Sequence, residues 1–114
     1  MRRLDPLLLA IVAIALGLRL VGLGWGLPNA ERYHPYHPDE ILQVGATLTV
    51  DPIGGRFDPK FYNYGSLSFF LTRIAWELSE GLAPSGKEPW ALAARVDLVG
   101  RFLVALFGAL TVIL

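Results

Sequence analysis

Cysteine is absent from the chain, which excludes disulfides and thiolate metal sites and leaves the redox compartment unspecified. A predominance of one charge is absent as well. Ten basic residues balance ten acidic ones over 114 positions, and no basic run occurs. Nothing in that balance points to a nucleic-acid partner. Internal repeats and low-complexity tracts are also lacking.

What is present in quantity is apolar side chain. Hydrophobic residues make up 54% of the chain and the mean hydropathy is +0.47, high for a soluble domain, so their distribution decides the class. Leu7 to Leu27 reads LLLAIVAIALGLRLVGLGWGL, with Arg19 its only charge. As a helix this run is about 30 Å long, the thickness of a bilayer's hydrocarbon layer. Val96 to Leu114 is similar, with Asp97 and Arg101 in its first turns. The pattern predicts an all-α membrane protein with transmembrane helices over 7–27 and 96–114. Leu114 has no flanking Lys, Arg or interfacial aromatic, so the second span reads as truncated and the chain as the N-terminal part of a longer protein. Arg2 and Arg3 predict a cytoplasmic N-terminus, residues 28–95 outside, and a multi-pass protein of the cell membrane. Against that orientation stand Arg32, Arg56, Lys60, Arg73, Lys87 and Arg95 in the outer segment. A cleaved signal peptide fits less well, because Ala13-Ile14-Ala15 lies inside the apolar run rather than after it.

The segment between the spans carries helix signals. Pro38 suits a first helical turn, with Asp39 and Glu40 beside it. Ile41, Val44 and Leu48 recur at i, i+3 and i+7, which predicts a short amphipathic helix to about Val50. Asp51-Pro52-Ile53-Gly54-Gly55 ends it with turn chemistry. A second helix is predicted from Ser66 to Gly81, with Arg73 and Glu77 as an i,i+4 pair. Its uncharged stretch is too short to span, so it is expected along the membrane interface, followed by a connecting loop over 81–90.

Several residues have both a plain and a chemical reading. Asp39 and Glu40 are helix-start acids by one reading, stabilised by the partial positive charge of the helix N-terminus. By the other, one carboxylate is a general base for an attacking hydroxyl and its neighbour braces the loop. His34 and His37 with those acids suggest a metal cluster. However, Pro35 and Pro38 make the stretch extended and remove HExxH geometry, so loop histidines that bond or cap are the plainer reading. Lys60, within Asp58-Pro59-Lys60-Phe61-Tyr62-Asn63-Tyr64-Gly65, is either a snorkelling lysine in an aromatic belt or a phosphate contact with Tyr62 and Tyr64 around it. Arg19 has Ala15, Gly22 and Gly26 on its helical face and is expected against protein or a wet cavity. Arg101 has Asp97, Ala105 and Gly108 on its face, an intrahelical pair by the plain reading.

In their order along the chain, LGWGLP, HPDE, DPKFYNYGSLSFF and GRFLVALFGALTVIL resemble the polyprenyl-phosphate-sugar glycosyltransferases of the GT-C class, which include protein O-mannosyltransferases and lipid A aminoarabinose transferases. The resemblance runs over nearly the whole chain and implies the start of a larger helical bundle. It implies an enzyme that transfers a sugar, with inversion, from a polyprenyl-phosphate carrier to a lipid, glycan or protein acceptor at the external membrane face. By position, Asp39 is similar to the loop aspartate that acts as base or positions the acceptor, with Glu40 its support. Lys60 is similar to a juxtamembrane lysine on the lipid phosphate, although here Pro59 precedes it whereas the family's lysine precedes proline. Arg101 resembles the arginine that opens the next span. The lipid-linked sugar is then a substrate, no cofactor is implied, and no residue pattern supports a divalent metal. Two spans cannot enclose a catalytic cavity, so this segment alone is expected to be inactive. A non-catalytic two-span membrane partner or assembly subunit is the alternative, and an exported metal-binding module a third reading.

Overall fold

Asp5 starts the first helix: its side chain accepts the Leu7 N–H at 2.9 Å, and Pro6 takes the position whose N–H has no helical partner. The computed structural model describes residues 5–114 and places α1 at Pro6–Leu20, α2 at Pro38–Thr49, α3 at Ser66–Leu82 and α4 at Pro89–Leu110. No strand occurs among the described residues, and a single antiparallel bridge joins Asp51 to Arg56.

This architecture overturns the two transmembrane helices. Helix α1 stops at Leu20, where the chain turns through residues 21–26. Gly22 (φ +84°) and Gly26 (φ +67°) take left-handed backbone conformations, and Leu23 N–H and Trp25 N–H donate back to Leu20 and Gly22 carbonyls. Fifteen helical residues make about 22 Å, short of the roughly 30 Å hydrocarbon layer. Helix α4 has 22 residues, about 33 Å, but Arg95, Asp97 and Arg101 all fall within it. No helix among the described residues is long and apolar enough to cross a membrane. The spans at 7–27 and 96–114 and the multi-pass membrane placement are therefore corrected. Hydropathy summed over a run is blind to where glycines bend the backbone, and that is where the expectation failed. Arg2 and Arg3, which carried the orientation, lie outside the described residues.

The chain divides into two units. One comprises 5–25 with Arg101–Leu114. Ala105 and Ala109 are buried there, whereas α1 has no buried residue and leaves Leu7, Ile14 and Leu18 exposed. Arg19 donates to the Ala15 carbonyl at 3.1 Å and lies over Gly108, where an added Cβ would stand 2.9 Å from its Nε. The Arg101 Nη1 donates to Leu23 O at 2.7 Å and Trp25 O at 2.6 Å, fastening the turn that ends α1.

The other unit, Gly26–Gly100, packs α2 on α3. Ala46, Val50 and Phe69 form its core, with Phe61 and Phe70 against them. Burying Val50 and Phe69 contributes on the order of 1.5–3 kcal/mol each. The buried face of α2 is Ala46 and Thr47, with Val50 as its C-cap, while Ile41 is exposed; the apolar stripe expected at 41, 44 and 48 is thus rotated. Arg73 bonds Glu77 at 2.6 Å and donates to Leu48 O at 3.1 Å, so the i,i+4 pair also ties α3 to the end of α2.

Candidate functional site

Asp39 and Glu40 occupy the first turn of α2, whose N-cap is His37 and whose first residue is Pro38. The Asp39 side chain is exposed and that of Glu40 half-buried. Adjacent helical residues point about 100° apart, so the two carboxylates serve different surroundings. His37 makes no capping bond with its side chain, and His34 supplies a carbonyl rather than its ring to the loop's bonding, accepting Arg32 Nε at 2.8 Å. Among the described residues no group of three or more metal-ligating side chains gathers.

The loop leading into α2 is organised by Arg32. Its Nη2 donates to Leu27 O at 2.9 Å, its guanidinium lies 3.7 Å from the Tyr36 ring centroid, and its own N–H meets Asn29 Oδ1 at 2.9 Å. Tyr36 N–H donates to Gly26 O at 3.0 Å. These bonds fix the approach to the acidic turn, a role the sequence reading did not give Arg32.

The Lys60 segment is a compact exposed cluster. Asp58 Oδ1 accepts the Lys60 backbone N–H at 2.9 Å and the Tyr62 hydroxyl at 2.6 Å, and Oδ2 pairs with Lys60 Nζ at 2.6 Å. The Lys60 side chain and the Tyr62 hydroxyl hold the Asp58 carboxyl well below the usual carboxylate range, and Asp58 in turn raises both Lys60 and Tyr62. Lys60 has φ +56°, a left-handed conformation that costs a non-glycine residue roughly 1–3 kcal/mol. Buried Pro59 and half-buried Phe61 clamp it from either side. Tyr64 is exposed, its ring tilted against that of Phe61 with centroids 5.6 Å apart. Asp58, which sequence reasoning passed over, is the hub; an Asp-Pro turn followed by Lys and Tyr at i+2 and i+4 was its visible signal.

Asp39 and Lys60 are not neighbours. Phe61 packs on Ala46, Val50 and Phe69, which puts the Lys60 segment beside the later turns of α2, while Asp39 stands on the first. Helical rise separates Asp39 from Ala46 and Val50 by about 10–16 Å. Arg101 belongs to the other unit and spends its Nη1 on main-chain carbonyls. Comparison with protein-family models, curated proteins and solved structures returns no match.

Proposed function

We propose that the chain takes part in transferring a sugar from a polyprenyl-phosphate donor to an acceptor hydroxyl, with Asp39 as the base and Lys60 as the cation for the departing phosphate. The observation that carries this reading is an exposed carboxylate on the first turn of α2, with a lysine–tyrosine cluster beside the later turns of the same helix. An in-line displacement strings together a base-to-hydroxyl bond, an oxygen-to-carbon approach, the breaking bond and a phosphate-to-ammonium contact. Those lengths sum to about 10 Å, so a base and a cation that serve one displacement need not touch each other. Lys60 must leave Asp58 to reach a phosphate. The pair is largely solvent-exposed, at 74% and 48% for the two side chains; water screens such a pair, and a phosphate with more negative charge competes with the carboxylate. Glu40 supports the turn, and Tyr62 and Tyr64 offer hydroxyls to the same anion.

The test is transfer of labelled sugar from a polyprenyl-phosphate donor in detergent micelles, by the intact protein that carries this segment and by its Asp39→Asn variant. General-base catalysis is worth about 10²–10⁴ in rate, so the variant should fall by at least that lower factor with an unchanged far-UV spectrum. Near-normal turnover removes Asp39 from the mechanism. A second reading, an assembly subunit without chemistry of its own, is favoured by the exposed Leu7, Ile14 and Leu18 of α1. It predicts no transfer by either form.

A further inference from the structure

The geometry points to a binding pocket for a small apolar carboxylate between the end of α3 and the start of α4, distinct from the acidic turn and the Lys60 cluster. A cleft of about 290 Å³ opens there, lined by Leu27, Ser85, Trp90, Ala94, Arg95 and Leu98 among others. That volume is just below the range of enclosed ligand pockets, and the cleft is largely open to solvent, so it suits one ring with a short polar arm lying partly exposed. Its walls are an indole and aliphatic side chains, and Arg95 is its one lining residue with a full charge.

Arg95 is held in place without being used up. Its Nη1 donates to Ala83 O at 2.9 Å and Ser79 O at 3.4 Å, the carbonyls at the end of α3. Neither Nε nor Nη2 has an acceptor among the described residues. Those two nitrogens form one edge of the planar guanidinium, the fork that matches two carboxylate oxygens. A fork whose third arm is anchored is pre-organised, so binding orders little that is not already ordered.

The neighbouring charge selects the ligand. Glu80 Oε2 accepts the Ser85 backbone N–H at 2.9 Å, and Ser85 holds the Glu80 carboxyl below its ordinary range, with Arg95 contributing through space. Glu80 is therefore ionised near Arg95 and offsets part of its charge. With Glu80 offsetting Arg95, an anion is held by the geometry of the fork and not by net charge; a monoanion meets the smaller repulsion from Glu80 and a dianion the larger. A flat apolar body lies against Trp90 while its carboxylate faces the open edge of Arg95.

The probes are phenylacetate and its uncharged counterpart 2-phenylethanol, titrated into the ¹⁵N-labelled full chain and followed at the Arg95 Nε–H and Trp90 indole N–H resonances. Saturable shifts of both with phenylacetate, at least tenfold weaker with the alcohol, are expected. Arg95→Gln should bring phenylacetate down to the alcohol's level. Because Arg95 also caps α3, Ala94→Leu is the second variant: it fills the cleft, leaves the fork intact and should abolish both shifts. Equal affinity for the two probes, shifts confined to exposed apolar residues of α1, unchanged binding in Ala94→Leu, or no saturable shift at all would each overturn the assignment.

Discussion

Replacing Arg101 by Met should loosen the turn after α1 without altering any side chain proposed to touch substrate. The Arg101 Nη1 serves two carbonyls, Leu23 O at 2.7 Å in a half-buried setting and Trp25 O at 2.6 Å in an exposed one. A hydrogen bond from a charged donor contributes about 1.5–3 kcal/mol net. The exposed acceptor regains water when the guanidinium goes, so its loss adds about 0.5 kcal/mol at most. These two bonds alone contribute about 2–3 kcal/mol, and the total loss is at least that. Methionine keeps most of the aliphatic length, so packing loss is minor beside the polar term. The Leu23 and Trp25 amides, bonded to Leu20 and Gly22 carbonyls, should exchange about 30- to 140-fold faster if they open with the turn. Urea unfolding of the same unit should shift by the same free energy. Arg101→Lys, with a point charge in place of the fork, should recover about half. A variant within 0.5 kcal/mol of the parent, with unchanged exchange, would refute the clamp and return Arg101 to the pool of substrate ligands.

Three further outcomes follow from the same geometry. Phe69→Ala removes the largest buried side chain of the α2–α3 core and should cost about 3–5 kcal/mol in denaturant unfolding; a loss under 1 kcal/mol would mean that core is not formed. Gly26→Ala puts a Cβ 2.5 Å from Tyr36 Cδ2 at a φ of +67°. The atoms met include Tyr36 Cγ and Cβ at 3.0 and 3.1 Å, the root of a side chain that Arg32 holds, so the clash adds to a backbone term of about 1–2 kcal/mol and the loss should exceed that term, read as a lower thermal midpoint. For Asp58 the folded pKa is depressed, so its ionised form supports the loop above the unfolded value near 3.9 and that support fades as pH falls further. Lys60 is raised, so its share holds below about 10.4 and is lost as pH climbs past the folded value. Tyr62 should accordingly titrate above the ordinary phenol range in a ring-resonance titration, and Asp58→Asn should return it there; identical Tyr62 curves in both proteins would dissolve the cluster.

Helices α2 and α3 were legible because their starts carry local chemistry. Pro38 with two acids, and Ser66 after a glycine, mark helix beginnings whatever surrounds them, and α2 and α3 begin at those residues. The apolar runs misled for the opposite reason. Their composition is uniform, and the features that decide their fate are a left-handed Gly22 and the position of Arg101, which hydropathy averages away. The candidate site was legible as residue types rather than as contacts. The Lys60 cluster depends on a positive φ and on Asp58 being two residues upstream, and pattern reading does not register a backbone angle. Arg101 was out of reach altogether, since its acceptors are main-chain oxygens 76 and 78 positions away, and a carbonyl has no letter in the sequence.

That last point generalises across the chain and decides which cation fits a phosphate. Helices α2 and α3 carry no basic residue in their last turns, so the negative ends of their dipoles need cations from elsewhere. Arg73 supplies one to Leu48 O, and Arg95 supplies another to Ser79 O and Ala83 O. Arg101 does the same for the turn after α1, and Arg32 for the carbonyls of Leu27 and His34. Arginine suits this work because its fixed fork reaches two acceptors without losing charge. A guanidinium so engaged leaves its carbonyls unpaired if it swings toward a ligand, which costs about 1–3 kcal/mol for each buried one. Lys60 pairs instead with an exposed carboxylate, where solvent screening keeps the exchange cheap. Of the cations the sequence offered for a departing phosphate, Lys60 is therefore the one that can change partners cheaply, and Arg101 is not.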